Sequence, residues 1–370
     1  MKMTCQRLTL AAAFQTVSGI VPTKTTKAVL MNTKIEAIDG QVTLLATDGD
    51  SSIRYVIPDA SIETPGALLV PTNRTLTILR ELQGDSVTLE TMTNNVRIKG
   101  ERADYKLGLE NPDLFPTIQD FREENYHTLD AGTLRQLIRR TIFAVDTEST
   151  RYALGGVLVE LGAEKATLAA TDTRRLSIAV GKCSVHGTPH AEGSPPVVPA
   201  RAMLLIERSL AEDTSQVQLA IRANDMLMRG GLATIYSRLV EGRFPKYQDV
   251  VPRSCKTSLE LQVESFLAVV RQAQIVTNED SRGVDFEFAP GLLTLTSQAP
   301  DIGESKVDLP ISYDGPAITV SLDPKFVSDF LRTLDQASTI RVELTDSESA
   351  VVLKTEDGSI YIVMPLSRDR

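Results

Sequence analysis

Tryptophan is absent from the 370 residues, and aromatic side chains make up only 5% of the chain. A groove that stacks successive bases on aromatic rings is therefore not provided for. The cores must be built from Leu, Val, Ile and Ala. Cysteine is scarce as well. Cys5, Cys183 and Cys255 are odd in number and far apart, which excludes a disulfide framework and the paired spacings of a structural zinc site. That usage fits a reducing cytoplasm. Of the three histidines, all expected in loops, His186 and His190 are four apart. Gly187 and Pro189 between them break any helical face, so no metal site is expected there. Basic residues are outnumbered, 39 Lys and Arg against 48 Asp and Glu, for a net charge of −9. A generic nucleic-acid binder would be basic, although an acidic chain can still gather positive charge on one face.

No stretch approaches the ~18 consecutive apolar residues of a membrane span, so no membrane partner is expected. The N-terminus, MKMTCQRLTLAAAFQTVSG, has the outline of a weak leader, but its apolar run is short and Gln15 and Thr16 follow closely. It reads better as an amphipathic helix carrying Leu10, Phe14 and Val17. Also missing are the phosphate loop G-x-x-x-x-G-K-[ST], a G-x-G-x-x-G turn after a strand, the G-x-S-x-G elbow and H-E-x-x-H. The usual anchors of nucleotide, hydrolase and zinc-protease chemistry are thus excluded, and no cofactor is expected.

What the chain has is repetition. Ala46-Thr47-Asp48 recurs as Ala170-Thr171-Asp172, 124 residues on. Val70-Pro71 recurs as Val198-Pro199 after 128 residues, and Leu114-Phe115-Pro116 as Arg243-Phe244-Pro245 after 129. A further step of domain size, about 120 residues, reaches Leu322-Asp323-Pro324 and Met364-Pro365. The Ala-Thr-Asp position then falls near Leu295-Thr296-Ser297, after the strand-like GLLTL, where the strand-and-turn shape is expected to be kept and the aspartate is lost. Each copy reads as an early helix (8–18, 134–145, 263–276) and a middle helix (72–82, 199–210, 323–334). The apolar residues recur at helical spacing, as in Leu134, Leu137, Ile138 and Ile142. Short alternating strands surround them at 41–46, 86–91, 216–221, 284–288 and 350–354, with Asp-Gly turns at Asp39, Asp48 and Asp357. Polar linkers at 119–126 and 253–256 divide the chain. The reading is α+β with antiparallel sheets, in three similar domains at 1–125, 126–254 and 255–370.

Asp48 and Asp50 are spaced to share a divalent metal, which would make the chain a metal-dependent enzyme acting on nucleic acid. The second copy opposes this, because Thr173 and Arg174 follow Asp172 there. The plainer reading is that Thr-Asp closes a tight turn at a strand end. The helix 134–145 carries Arg135, Arg139 and Arg140, and Lys24, Lys27, Arg74, Arg201, Arg271 and Lys325 lie at helix starts or nearby loops. If these cations line one surface, any contact they make with DNA would be to phosphates and blind to sequence.

In this order and spacing, MKMTCQR, QTVSG, RYALGGVL, ATDTRRL, SRLVEGRFPKY, TNEDSRGV and YIVMPL resemble the bacterial DNA polymerase III beta subunits, the sliding clamps, along nearly the whole chain. The resemblance implies a clamp fold in which two chains of three domains join head to tail in a ring, helices lining the hole and sheets outside. It implies a processivity factor without catalytic activity that encircles double-stranded DNA and takes short linear motifs of the polymerase III alpha subunit, the clamp loader, other polymerases and repair proteins. The pocket so implied comprises Leu154, Thr171, Thr173, Arg174, Arg175, Leu176, Pro245, Val250, Ile362, Val363, Met364, Pro365 and Leu366. Lys24, Arg74 and Arg201 would face DNA. Arg74, Tyr105 and Leu107 would meet Ile275 and Val276 across the homodimer joint. The chain departs from the family at Thr173-Arg174, where Gly-His is frequent, and at Asp249, Glu348 and Glu148. It also departs at its end, Ser367-Arg368-Asp369-Arg370. A peptide-binding scaffold that forms no ring remains the other reading.

Overall fold

The computed structural model describes residues 1–146, 152–188, 195–210, 215–279 and 281–366. Glu148, Arg151, His190, Asp280 and residues 367–370, on which the sequence reading drew, lie outside the described residues. The chain forms two compact units. One comprises Met1–Arg135, Leu161–Glu164 and Lys182–Val240, the other Gln136–Glu160, Lys165–Gly181 and Glu241–Arg370.

The first unit holds two antiparallel sheets. The smaller runs Ser61–Thr64, Lys2–Gln6, Ser86–Thr91, Asn95–Lys99, Asp104–Gly108. The larger has nine strands, and at its middle Ala233–Arg238 pairs with Ser51–Ile57, joining segments far apart in sequence. Asp39 (φ 52°) and Gly40 (φ 78°) turn one of its hairpins. Two positive φ values in a row are the I′ geometry that Asp-Gly favours, because it matches the strand twist. The helix Arg7–Val17 buries Leu10, Ala13, Phe14 and Val17, one stripe of a 3.6-residue period. The helix Thr72–Glu81 follows Pro71 and buries Leu76 and Leu79.

The second unit holds the strands Gly156–Leu161, Lys165–Thr171, Arg175–Lys182, Ile360–Val363, Val351–Lys354, Thr339–Leu344 and Thr257–Gln262 in that order, and a four-stranded sheet with Gly303–Pro310 and Ile318–Leu322 at its edges. The helices Val263–Ala273 and Pro324–Leu331 cover a core containing Phe266, Phe286, Phe288, Phe330 and Tyr361. Phe330 stacks on Tyr361 with centroids 4.6 Å apart. Full burial of such a ring contributes about 2–3 kcal/mol. Phenylalanine and tyrosine rings thus join the Leu, Val and Ile that the composition led one to expect in this core.

The second and third early helices end in a 3-10 turn where the sequence period simply continues. Ala131–Thr141 is followed by Ile142–Ala144, and Val263–Ala273 by Gln274–Val276. Three expectations need correcting. His127 and His186 are not in loops, for they lie in the strands Tyr126–Asp130 and Ser184–His186. Alternation with Leu129 turns His127 inward. Arg140 is not a surface cation of its helix; it is buried and paired with Asp357 at 3.1 Å. In the third copy, Leu295-Thr296-Ser297 is not a turn but the interior of strand Leu292–Ala299.

Candidate functional site

The two Ala-Thr-Asp segments fold into the same turn. Thr47 Oγ1 donates to Ser51 O at 2.7 Å and accepts from the Gly49 N–H at 3.0 Å. Asp48 Oδ1 accepts from the N–H groups of Asp50 and Ser51 at 3.0 and 2.8 Å. Thr171 Oγ1 likewise donates to Arg175 O at 2.6 Å and accepts from the Thr173 N–H at 3.2 Å. Asp172 Oδ1 accepts from the Arg174 and Arg175 N–H groups, both at 3.0 Å. A threonine and an aspartate thus satisfy a sharp reversal with their own side chains, which is why the pair is written twice. The copies differ at the apex. Gly49 sits at φ 105°, and Thr173, a β-branched residue, is held at φ 75°. A positive φ at such a residue is strained by about 1–2 kcal/mol.

The metal reading finds its carboxylates already engaged. The second oxygen of Asp48 is paired with Arg201 Nη1 at 3.0 Å, and Asp50 with Arg238 at 3.3 Å. A guanidinium on each carboxylate repels a divalent cation. Among the described residues, no cluster of three His, Cys, Asp or Glu side chains forms that could hold a metal.

At the second turn the chain continues into strand Arg175–Lys182, which pairs antiparallel with Ile360–Val363, Arg175 opposite Val363 and Leu176 opposite Ile362. The Met364 N–H extends the pairing to Arg174 O at 2.9 Å, and the Leu366 N–H reaches Ser321 O at 2.8 Å. Turn and C-terminal segment are therefore tied as one wall. The side chains divide by exposure. Leu154, Leu176, Ile362 and Val363 are buried, Val363 in the large core of this unit. Met364, 47% exposed, and Val250, 59% exposed, are apolar groups left in water. Thr173, Arg174 and Pro245 are exposed, Pro365 and Leu366 partly so. Asp249 lies in the 3-10 turn Tyr247–Val250. Tyr247 fixes that turn by donating to Glu160 at 2.6 Å, and burial together with this carboxylate pushes its phenol above the ordinary value. Glu348 is exposed, its N–H bound to Asp346 at 3.1 Å.

Arg175 was expected to line the pocket, but it is 8% exposed and spent internally. Nε donates to Asp172 Oδ2 at 2.9 Å, Nη1 to Asp329 Oδ2 at 2.9 Å and Nη2 to Phe143 O at 2.7 Å. Its guanidinium lies 4.3 Å from the Phe326 ring centroid and 5.4 Å from that of Phe143. Burial opposes the charge, but the carboxylates of Asp329 and Asp172 bound to it outweigh this and hold it above the usual arginine value. Burial pushes the Tyr361 phenol up as well, so it stays a neutral donor to Phe326 O at 3.0 Å. Asp329, Phe143 and Phe326 escaped sequence reasoning because each lies far from the motif in the chain. Only Asp172, three residues before Arg175, could have been found.

Lys24 and Arg74 are exposed in the first unit. Arg201 is not free: besides Asp48 it donates to Ile20 O at 2.6 Å. Tyr105 and Leu107 lie two apart on strand Asp104–Gly108 and so share one face; Tyr105 is exposed and Leu107 buried. Ile275 is 76% exposed, and Val276 beside it half-buried. Asp104–Gly108 and Gly303–Pro310 each end a sheet, so each presents a row of unpaired backbone groups.

Comparison with known proteins covers the chain. Family models described as DNA polymerase III beta subunit match in three parts, the N-terminal domain at residues 1–119, the central domain at 128–246 and the C-terminal domain at 248–367. The beta sliding clamp of Escherichia coli K12 is 27% identical over 369 residues, covering 99% of this chain and 100% of that one. That of Chlamydia muridarum is 27% identical over 367 residues, 99% of each. The crystal structure of the sliding clamp from Bacillus subtilis superposes with a TM-score of 0.88 at 25% identity, over 100% of this chain and 99% of that one. A Pseudomonas aeruginosa sliding clamp bound to griselimycin gives 0.87 at 26%, over 100% of both.

Proposed function

The chain belongs to the family of DNA polymerase III beta subunits, the sliding clamps, and from this premise we propose that two copies close head to tail into a ring around duplex DNA. Three alike domains per chain are what such a ring requires, because near-equal wedges meet through one repeated type of joint. The observation that carries the reading is the pair of open sheet edges, Asp104–Gly108 and Gly303–Pro310, one in each terminal domain. An exposed edge invites strand pairing unless it is covered. Pairing the first of one copy with the second of its partner covers both. Tyr105 and Ile275 are apolar groups suited to the same joint, with Arg74 and Val276 at its margin and Leu107 packing behind it.

The ring holds DNA by topology, so a chain of net charge −9 needs only a thin lining of cations. Lys24 and Arg74 supply it, with Arg201 contributing what its brace to Asp48 leaves free. No chemistry is asked of any residue; the clamp is an accessory subunit of the replication machinery in the cytoplasm. Partners dock at the wall made by the turn 171–175 and the segment 364–366. Met364 and Val250 anchor an apolar side chain of an extended peptide from the polymerase III alpha subunit, the clamp loader or a repair protein. The exposed charges of Arg174, in that turn, and of Asp249, in the turn Tyr247–Val250, select among such peptides.

Negative-stain electron microscopy of the purified protein tests the ring. Two-dimensional classes should show a closed ring with a central hole. Solid particles or crescents would overturn the ring and leave a three-domain scaffold.

A further inference from the structure

The molecule builds one joint twice and braces it with the same chemical group delivered from opposite sides. In the first unit Ser51–Ile57 pairs with Ala233–Arg238, and in the second Arg175–Lys182 pairs with Ile360–Val363. Counted from the shared turn, Ser51 corresponds to Arg175, Arg238 to Met364 and Val240 to Leu366. The backbone bonds correspond too. The Arg238 N–H reaches Asp50 O at 3.0 Å and the Met364 N–H reaches Arg174 O at 2.9 Å. The Val240 N–H reaches Val197 O, and the Leu366 N–H reaches Ser321 O, both at 2.8 Å.

In each joint a guanidinium sits on the turn aspartate. Arg201 Nη1 is 3.0 Å from Asp48 Oδ2, and Arg175 Nε is 2.9 Å from Asp172 Oδ2. Each guanidinium also takes a carbonyl just past the early helix of the domain that carries the turn, that of Ile20 at 2.6 Å or that of Phe143 at 2.7 Å. Arg201, however, is the second residue of helix Ala200–Ser209, so it arrives from the following domain. Arg175 arrives from the turn itself. The residue matching Arg201 is Lys325, second in helix Pro324–Leu331 and exposed. The residue matching Arg175 is Ser51, whose hydroxyl is 3.0 Å from that of Ser237. Because Arg175 belongs to the turn, it needs a partner on the facing helix to brace anything, and Asp329 of that helix is the partner.

We propose that Asp329, acting through Arg175, is a positioning residue for the partner-binding wall: the pair fixes the turn 171–175 against helix Pro324–Leu331 and so sets where Arg174 and Met364 stand, while touching no ligand. The inference rests on the peptide-site reading above. It differs in assigning the affinity of an exposed wall to a buried charge pair behind it. A guanidinium between two carboxylates, a carbonyl and an aromatic face has a single low-energy place, and a preorganised wall binds more tightly than one that must be ordered by its ligand.

The test measures binding of the full-length protein to immobilised polymerase III alpha subunit from the same genome, with unfolding midpoints followed in parallel. Asp329→Asn, which keeps shape and removes charge, should weaken binding about tenfold, and Arg175→Ser more. Arg175→Ser combined with Lys325→Arg delivers the guanidinium from the helix, as Arg201 does, and should recover most of the affinity. A purely structural loss would not show that recovery at an unchanged midpoint. Met364→Ala removes a wall contact directly and serves as the control. If Met364→Ala weakens binding while Asp329→Asn leaves it unchanged, the positioning role is wrong and the pocket stands. If neither changes it, the pocket reading falls and the positioning role with it.

Discussion

Arg140 Nη2 lies 3.1 Å from Asp357 Oδ2, and the arginine that makes this bond is buried. Burial pulls the guanidinium below its ordinary value, and the carboxylate opposes that pull. Two of its nitrogens, Nε and Nη1, have no hydrogen-bond partner among the described residues. Such a cation costs most when its single counter-ion is removed and least when the whole pair is replaced by apolar bulk. Asp357 also accepts from Gln136 at 3.0 Å, and Thr355 and Ser359 bond it in its own turn. Asp357→Ala should therefore destabilise the protein by about 2 kcal/mol, a value discounted for the partial exposure of the carboxylate. Arg140→Met should cost under about 1 kcal/mol. Urea unfolding of the two variants at neutral pH gives the comparison, and a larger loss for Arg140→Met would contradict the orphaned-charge argument.

Thr173 and Gly49 occupy the same apex with φ 75° and 105°. A Cβ at Gly49 would meet nothing within 4 Å, so the difference between the two turns is backbone strain rather than crowding. Thr173→Gly relieves about 1–2 kcal/mol of left-handed strain and gives back about 0.5–1 kcal/mol in unfolded-chain entropy. The net expectation is a gain of up to about 1 kcal/mol. Gly49→Thr should lose a similar amount. Thermal midpoints moving in opposite directions for the two substitutions would bear this out.

Much of the fold is legible in the sequence because its signals are local. The helix stripe Leu134, Leu137, Ile138 repeats at 3.6 residues, and Asp39-Gly40 announces a turn through its own backbone preference. The double Thr-Asp turn is legible for the same reason, since all its bonds fall within five residues. The brace at Arg175 is different. Asp329 is 154 positions away and Phe143 is 32 away, and no spacing rule connects them. The same holds for Arg140, whose place on a basic-looking helix gives no hint of Asp357. The burial of His127 is not legible either: flanked by Tyr126 and Thr128 it resembles part of a polar linker, whereas pairing with Leu219 and Val185 on the neighbouring strands buries it.

That burial gives His127 a pH signature. Its pKa is held below the ordinary value of 6.5 because desolvation disfavours the charged ring. The folded state then binds fewer protons than the unfolded state between the depressed pKa and about 6.5, where an unfolded histidine titrates. Stability rises with pH across that window and is flat above it with respect to this group. His127→Leu should abolish the corresponding part of the slope between about pH 6.5 and the lower limit, leaving the carboxylate-driven slope at more acid pH. Denaturant midpoints of both proteins from pH 5 to 8 measure it. Parallel profiles would mean that His127 titrates alike in the folded and unfolded states, and would overturn the burial effect.

Ile275 tests the subunit joint through its geometry. It is 76% exposed in the 3-10 turn Gln274–Val276, so Ile275→Asp should leave the monomer fold intact. In the proposed ring it faces the edge strand that carries Tyr105, and a charge placed in that apolar contact should cost about 3 kcal/mol per joint, or roughly ten-thousandfold in dimer Kd when both joints carry it. Tyr105→Glu should do the same from the other side. In a head-to-tail ring each variant alone damages both joints, because every copy contributes Ile275 to one and Tyr105 to the other. Mixing the two variants concentrates both substitutions in one joint and leaves the second joint fully unmodified. Sedimentation velocity should then show monomers for each variant alone and dimers for the mixture, open at one joint. A mixture that stays monomeric would contradict head-to-tail pairing of these residues, whatever the fold of each domain.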